Sequence, residues 1–217
     1  MTITLFLVDD HTIVREGLRS LLEAQADFEV LGGAANGREA VSQVSQLCPD
    51  VVIMDISMPG LNGIEATRQI RATCPATQVI ILSMHATAEH AYRALQAGAL
   101  GYVLKESAGV EVINAVRVVY AGQRYLNQKI SNMLINDFVH PHEFGEAEGL
   151  LARLSPRERE IVQLVVEGKS SAEIARILYL SPATVDTYRS RLMQKLGLND
   201  LPSLVKFAIQ HGLTSLE

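Results

Sequence analysis

Asp9, Asp10, Asp55, Ser83 and Lys105 each follow or close a short apolar run. Ile3 to Val8 precedes the aspartate pair, Val51 to Met54 precedes Asp55, Val79 to Leu82 precedes Ser83, and Tyr102 to Leu104 precedes Lys105. Three carboxylates, a hydroxyl and an amine are the groups needed to handle a phosphoryl group. Carboxylates brought close together repel one another unless a hard cation sits among them, and Mg²⁺ suits both carboxylate and phosphate oxygens. Any one of these acids alone is an ordinary turn or cap residue; it is their joint placement that points to chemistry.

Apolar runs of this length alternating with helical patterns read as buried parallel strands. Phe28 to Ala34 supplies one more, and helices are expected over 11–25, 37–47, 64–73, 89–97 and 110–121, with Gly98 and Gly122 following the last two. Five β-α units in series imply a doubly wound parallel sheet with helices on both faces. Ligands of such sheets bind outside the carboxyl ends of the strands, so the five polar residues are expected to share one crevice.

With 217 residues, 48% apolar and 20% charged, the chain has material for one large or two small cores. It lacks an uncharged apolar stretch long enough to span a bilayer, and its start runs directly into a strand and two aspartates. A cytoplasmic protein without a membrane span or signal peptide is the expectation. Cys48 and Cys74 are too few for a zinc site and are each followed by Pro and then a strand, so they are expected to close helices as structural thiols.

Charge is unevenly spread. Residues 1–122 carry 8 Lys+Arg against 13 Asp+Glu, residues 123–150 carry 2 against 4, and residues 151–217 carry 9 against 7. Only the last third could approach a polyanion without an overall repulsion. Between the two ends, 123–150 reads as a linker with one helix over 128–138; His140, His142 and Glu143 there lack the spacing of a metal site.

Residues 151–217 read as four short helices. Ser155-Pro156-Arg157-Glu158 and Ser170-Ser171-Ala172-Glu173 are capping boxes, Ser181-Pro182 repeats the opening without the acid, and a fourth helix is expected from Pro202 to His211. Short helices joined by tight turns suit a helix-turn-helix.

The set Asp9-Asp10, Asp55-Ile-Ser-Met-Pro-Gly60, Ser83, Tyr102 and Lys105 resembles the receiver domain of two-component response regulators. Leu154-Ser-Pro-Arg-Glu-Arg-Glu160, Gly168, Glu173-Ile-Ala175, Leu180-Ser181, Thr184-Val185 and Lys195-Leu196-Gly197 resemble the LuxR-type helix-turn-helix. In this order the two are similar to the NarL/FixJ family. The resemblance implies a flavodoxin-like doubly wound (βα)5 receiver over 1–122, the linker over 123–150 and an all-α four-helix DNA-binding domain over 151–217.

It also implies roles. Asp55 would accept a phosphoryl group from a sensor histidine kinase; Asp9, Asp10, Asp55 and the Ser57 carbonyl would hold Mg²⁺. Lys105 and Ser83 would contact the phosphoryl oxygens, and Ser83 and Tyr102 would switch the chain to a homodimer on double-stranded DNA, with RNA polymerase a further candidate partner. Glu106 stands where a proline often follows the lysine, Met84 where a smaller residue is common, and His85 and Ser57 where acyl-phosphate lifetime is tuned.

In the helix starting at Pro182, Val185, Tyr188, Leu192 and Leu196 form an apolar stripe, leaving Thr187, Ser190, Arg191 and Gln194 on the opposite face. That face is expected in the major groove, with Arg189, Lys195 and Thr184 at phosphates and Asp186 either accepting from a cytosine or serving as a first-turn acid. A Mg²⁺-dependent phosphohydrolase and an unphosphorylated dimerisation scaffold are the competing functions. The helical tail disfavours the first and the complete polar set disfavours the second.

Overall fold

The computed structural model describes residues 2–84, 86–139, 150–151 and 153–214. His85 and His140 to Gly149, and with the latter the rejected metal set of His140, His142 and Glu143, lie outside them. The chain forms two compact units, Met1–His140 and Pro141–Glu217.

In the first unit, β1 (Ile3–Val8), α1 (Thr12–Glu23), β2 (Phe28–Ala34), α2 (Gly37–Leu47), β3 (Val51–Asp55), α3 (Gly63–Thr73), β4 (Gln78–Ser83), α4 (Ala88–Gln96), β5 (Gly101–Leu104) and α5 (Ala108–Tyr120) alternate as the apolar periodicity requires. The parallel strands lie in the order β2-β1-β3-β4-β5, extended by β6 (Tyr125–Leu126). After β2 the chain crosses to the other side of β1, so the strand order switches direction between β1 and β3, where Asp9 and Asp55 end up as neighbours.

Side chains alternate across the sheet. Leu5, Leu7, Val51, Ile53, Ile80 and Val103 pack with α1 and α5, while Phe6, Val8, Val52, Met54, Ile81 and Tyr102 pack under α2, α3 and α4. Both faces are covered, which is why the strands read as continuous apolar runs.

Within the expected linker, the helix expected over 128–138 is present, and a short strand that was not expected precedes it. α6 (Gln128–Val139) buries Ile130 completely in the same core as α4, with Met133 and Leu134 packed against it. A two-residue strand has no periodicity to detect, so Tyr125–Leu126 looks like connecting chain until its partner strand is known.

α2 and α3 start alike. Asn36 and Asn62 accept hydrogen bonds from the N–H groups of Glu39 and Glu65, satisfying donors that a helix start leaves open. Gly37 and Gly63 follow, and a Cβ there would collide with the carbonyls of Leu61 and Asp55 respectively. Gly63 therefore lets α3 begin directly against the end of β3.

The second unit contains α7 (Pro156–Val166), α8 (Ser171–Leu178), α9 (Pro182–Leu196) and α10 (Leu201–Gln210). Both expected capping boxes are formed, Ser155 with Glu158 and Ser170 with Glu173. Ser181 caps α9 without an acid, and Gly197 ends it at φ 67. Ile161, Val165, Ile174, Leu178, Val185, Leu192, Leu204 and Phe207 share its core.

Candidate functional site

Two constellations carry the expected site residues, one in each unit. In the first, Asp9 and Asp10 follow β1, Asp55 ends β3, Ser83 ends β4, and Lys105 opens a one-turn 3₁₀ helix after β5. Asp9 and Asp55 are only 1% and 3% exposed. The Lys105 Nζ lies 2.8 Å from Asp9 Oδ2 and 3.1 Å from Asp55 Oδ1, bridging the two acids.

Burial raises the Asp55 carboxyl to a pKa of about 6; the Lys105 ammonium pulls the other way, and the negative charges of Asp9 and Asp10 add to the rise. Burial alone would lower the Lys105 pKa, but Asp55 and Asp9 outweigh it and hold the amine above its ordinary value.

Asp10 is half-buried, with the His11 Nδ1 2.8 Å from its Oδ1. Ligand atoms of Asp9, Asp10, His11 and Asp55 all lie within 4.8 Å of one another. Among the described residues, the buried Asp55 Oδ2 has no hydrogen-bond partner. A hard cation fits this set, because carboxylate oxygens predominate and the Asp55 Oδ2 takes no hydrogen bond from the described residues. His11 was not anticipated, and its adjacency to the Asp pair was the only available signal.

Ser83 is buried, and Tyr102 is fully buried and hydrogen-bonded to it. Burial pushes the Tyr102 phenol up to about 12, so it remains a donor throughout the physiological range. Ser57 is half-buried, two residues beyond the end of β3. Met84 is 73% exposed beside the end of β4. This places a carboxylate nucleophile, an ammonium and a hydroxyl at neighbouring strand ends, a set able to accept and neutralise a phosphoryl group.

The second constellation is α9. Val185, Leu192 and Leu196 are buried, Tyr188 packs against them, and Thr187, Ser190, Arg191 and Gln194 are exposed. Thr187 and Ser190 donate their hydroxyls to the carbonyls of Ala183 and Asp186, and Thr184 shares a 2.8 Å hydrogen bond with Ser181. Among the described residues the Arg191 and Gln194 side chains make no hydrogen bond, so theirs are the open donors of this face.

Three residues expected to contact DNA, Lys195, Asp186 and Arg189, are engaged inside the unit. The Lys195 Nζ lies 2.7 and 2.8 Å from the two carboxylate oxygens of buried Glu158. Ser171 donates to Asp186 Oδ1 at 2.6 Å and receives a 3.1 Å bond from the Arg189 guanidinium. Both contacts tie α9 to another helix, and neither partner was legible from spacing along α9.

Lys195→Ala is therefore expected to destabilise the second unit by about 1–3 kcal/mol, by leaving a buried acid uncompensated. Pairing it with Glu158→Gln, which keeps a capping side chain, should recover most of the loss in urea unfolding. Burial would raise the Glu158 pKa, but bonds from Lys195 and Ser155 outweigh it and hold it below 4.5. Its stabilisation is thus present above that value and lost as the pH falls through the lowered one. Additive losses in the double variant would contradict this coupling.

Comparison with known proteins adds independent findings. A family model for the response regulator receiver domain matches residues 5–117, and one for bacterial regulatory proteins of the luxR family matches residues 152–208. The chain is 39% identical over 210 residues to the oxygen regulatory protein NreC of Staphylococcus carnosus, covering 95% of this chain and 97% of that one. It is 39% identical over 215 residues to the response regulator UvrY of Escherichia coli, covering 99% and 97%.

Among solved structures it resembles a LuxR-family two-component response regulator from Aurantimonas, with a TM-score of 0.62 at 39% identity over 64% of this chain and all of that one. It also resembles the response regulator RcsB in complex with DNA, with a TM-score of 0.59 at 27% identity over 97% and 99% of the two chains.

Proposed function

The chain belongs to the NarL/FixJ family of two-component response regulators, and on that premise we propose that it is a transcription factor switched by phosphorylation of Asp55. The donor is the phosphohistidine of a sensor histidine kinase. An Asp55 carboxylate oxygen attacks phosphorus, the phosphorus–nitrogen bond breaks, and an acyl phosphate remains on the chain. The observation that carries this reading is the buried Asp55 carboxylate with one oxygen bridged by Lys105 and the other unpartnered.

Lys105 neutralises incoming phosphoryl oxygens, and Ser83 donates a hydrogen bond to one of them. Asp9, Asp10, Asp55 and the Ser57 carbonyl would hold Mg²⁺, which when bound offsets the negative charge gathered there. The new charge draws Ser83 and Tyr102 toward itself, and their altered packing favours pairing with a second copy. A ligand shifts such an equilibrium only by its differential affinity for the two states. The protein acts in the cytoplasm as a regulator rather than a turnover enzyme, and RNA polymerase is a candidate partner once DNA is bound. No helix among the described residues is long and apolar enough to cross a membrane.

Mass measurement with Mg²⁺ and acetyl phosphate tests this reading. A slowly decaying adduct of one phosphoryl group supports it. Rapid multiple turnover indicates a phosphohydrolase, and absence of an adduct indicates a scaffold.

On DNA, α9 of each copy enters the major groove of a near-palindromic site, and Arg191 and Gln194 read bases. Lys195 and Asp186 hold α9 in place, and Thr184, Thr187, Arg189 and Ser190 line its approach. Arg191→Ala and Gln194→Ala are each expected to change discrimination at one base pair per half-site by ~1–3 kcal/mol. Anisotropy titrations of a duplex selected from a random pool check this, and unchanged base preference in both variants would remove α9 from base reading. With 9 Lys+Arg against 7 Asp+Glu in residues 151–217, the salt dependence should be shallow for a DNA-binding protein.

A further inference from the structure

We propose that Cys48 and Cys74 form a reversible oxidation site, a dithiol that a low-molecular-weight disulfide converts into an intramolecular disulfide joining the C-terminal ends of α2 and α3. The two sulfurs are 3.3 Å apart and both cysteines are free. They come from two separate helix ends, each the residue that caps its helix. A disulfide needs an S–S separation of ~2.05 Å, so about 1.3 Å of approach remains.

The accessibilities of the two thiols differ in a useful way. Cys48 is exposed and Cys74 is buried at 5%, so an external reagent meets Cys48 first and Cys74 resolves the product. Cys48 also adopts the left-handed conformation at φ 44, where a helix end usually carries Gly or Asn. The hydrogen bond with Cys74, together with burial, raises the Cys48 pKa, as expected of sulfurs in direct contact. Two thiols without further ligands do not make a zinc centre, which requires four.

The exchange balances without another reagent. The Cys48 thiolate attacks one sulfur of the external disulfide, whose S–S bond breaks and releases one thiolate. Cys74 then gives up its proton to solvent, and its sulfur attacks Cys48 Sγ and expels the second thiolate. Two protein thiols are oxidised and one small disulfide is reduced to two thiols. Cys48 and Cys74 precede β3 and β4, whereas Asp55 and Ser83 close the same strands. The dithiol thus lies at the amino ends of these strands and the phosphoryl site at their carboxyl ends, and its oxidation is a separate event.

The full chain, reduced and then incubated anaerobically with oxidised glutathione, tests this by thiol trapping and mass spectrometry. The wild type should lose both thiols together and the mass of two hydrogens, reversibly on adding reductant. Cys74→Ser should stop at a glutathione adduct on Cys48, and Cys48→Ser should stay unmodified. A wild-type chain that keeps both thiols, halts at the glutathione adduct, or crosslinks to a second chain would overturn the proposal.

Discussion

Asp55→Asn is expected to abolish phosphoryl labelling while making the metal-free protein harder to unfold. The loss follows because an amide oxygen is a poor nucleophile. The gain follows from burial, which raises the Asp55 pKa from 3.8 to about 6. A raised carboxyl pKa means the fold binds this proton more tightly than the unfolded chain does. Stability from this group therefore grows as the pH falls through 6 toward 3.8 and is lowest above 6. At roughly 1.4 kcal/mol per unit, the ionised group costs the fold about 3 kcal/mol at neutral pH, and a neutral Asn removes that cost. Urea unfolding in a chelator at pH 7 should show the Asn variant more stable, with the advantage shrinking toward pH 4. Equal stability at pH 7 would contradict the electrostatic description of the pocket.

Lys105→Met should act in the opposite direction. Its ammonium is the cation shared by Asp9 and Asp55, both nearly inaccessible to water. Removing it leaves two buried carboxylates facing each other, at a cost of about 3–5 kcal/mol in the metal-free protein at neutral pH. Combining it with Asp55→Asn takes away one of the repelling charges and should recover a large part of the loss. An unfolding midpoint unmoved by Lys105→Met would mean that the amine is dispensable to the resting pocket. Labelling should slow as well, since the positive charge that meets the phosphoryl oxygens is gone.

The parts of the molecule legible in the sequence are those encoded locally. Continuous apolar runs between helical patterns give the parallel sheet, and the residue type at the end of each run places Asp9, Asp55 and Ser83 on one edge. Ser155 with Glu158 and Ser170 with Glu173 mark helix starts because capping spans only three residues. What escaped depends on distances between elements, which periodicity does not contain. Lys195 meets Glu158 37 positions away, Asp186 meets Ser171 15 positions away, and Cys48 meets Cys74 26 positions away. Tyr125–Leu126 is a strand only because β5 offers it a free edge.

Lys195 shows the consequence most clearly. Read along α9 it is an exposed cation on a helix expected to face DNA, whereas read across the unit it is the counter-ion of the buried capping-box residue Glu158. The glutamate of a capping box that is 4% exposed needs such a partner, and only the folded unit reveals which lysine provides it.

The switch itself is tested most directly by the DNA affinity of one preparation before and after phosphorylation, measured on a duplex selected from a random pool, with the oligomeric state followed by sedimentation in the same samples. Phosphorylation of Asp55 should raise the dimer fraction and tighten binding together, and acetyl phosphate should change neither in Asp55→Asn. Full phosphorylation with unchanged affinity and an unchanged monomer, or an equal response in the Asn variant, would contradict the assignment of Asp55 as the switch.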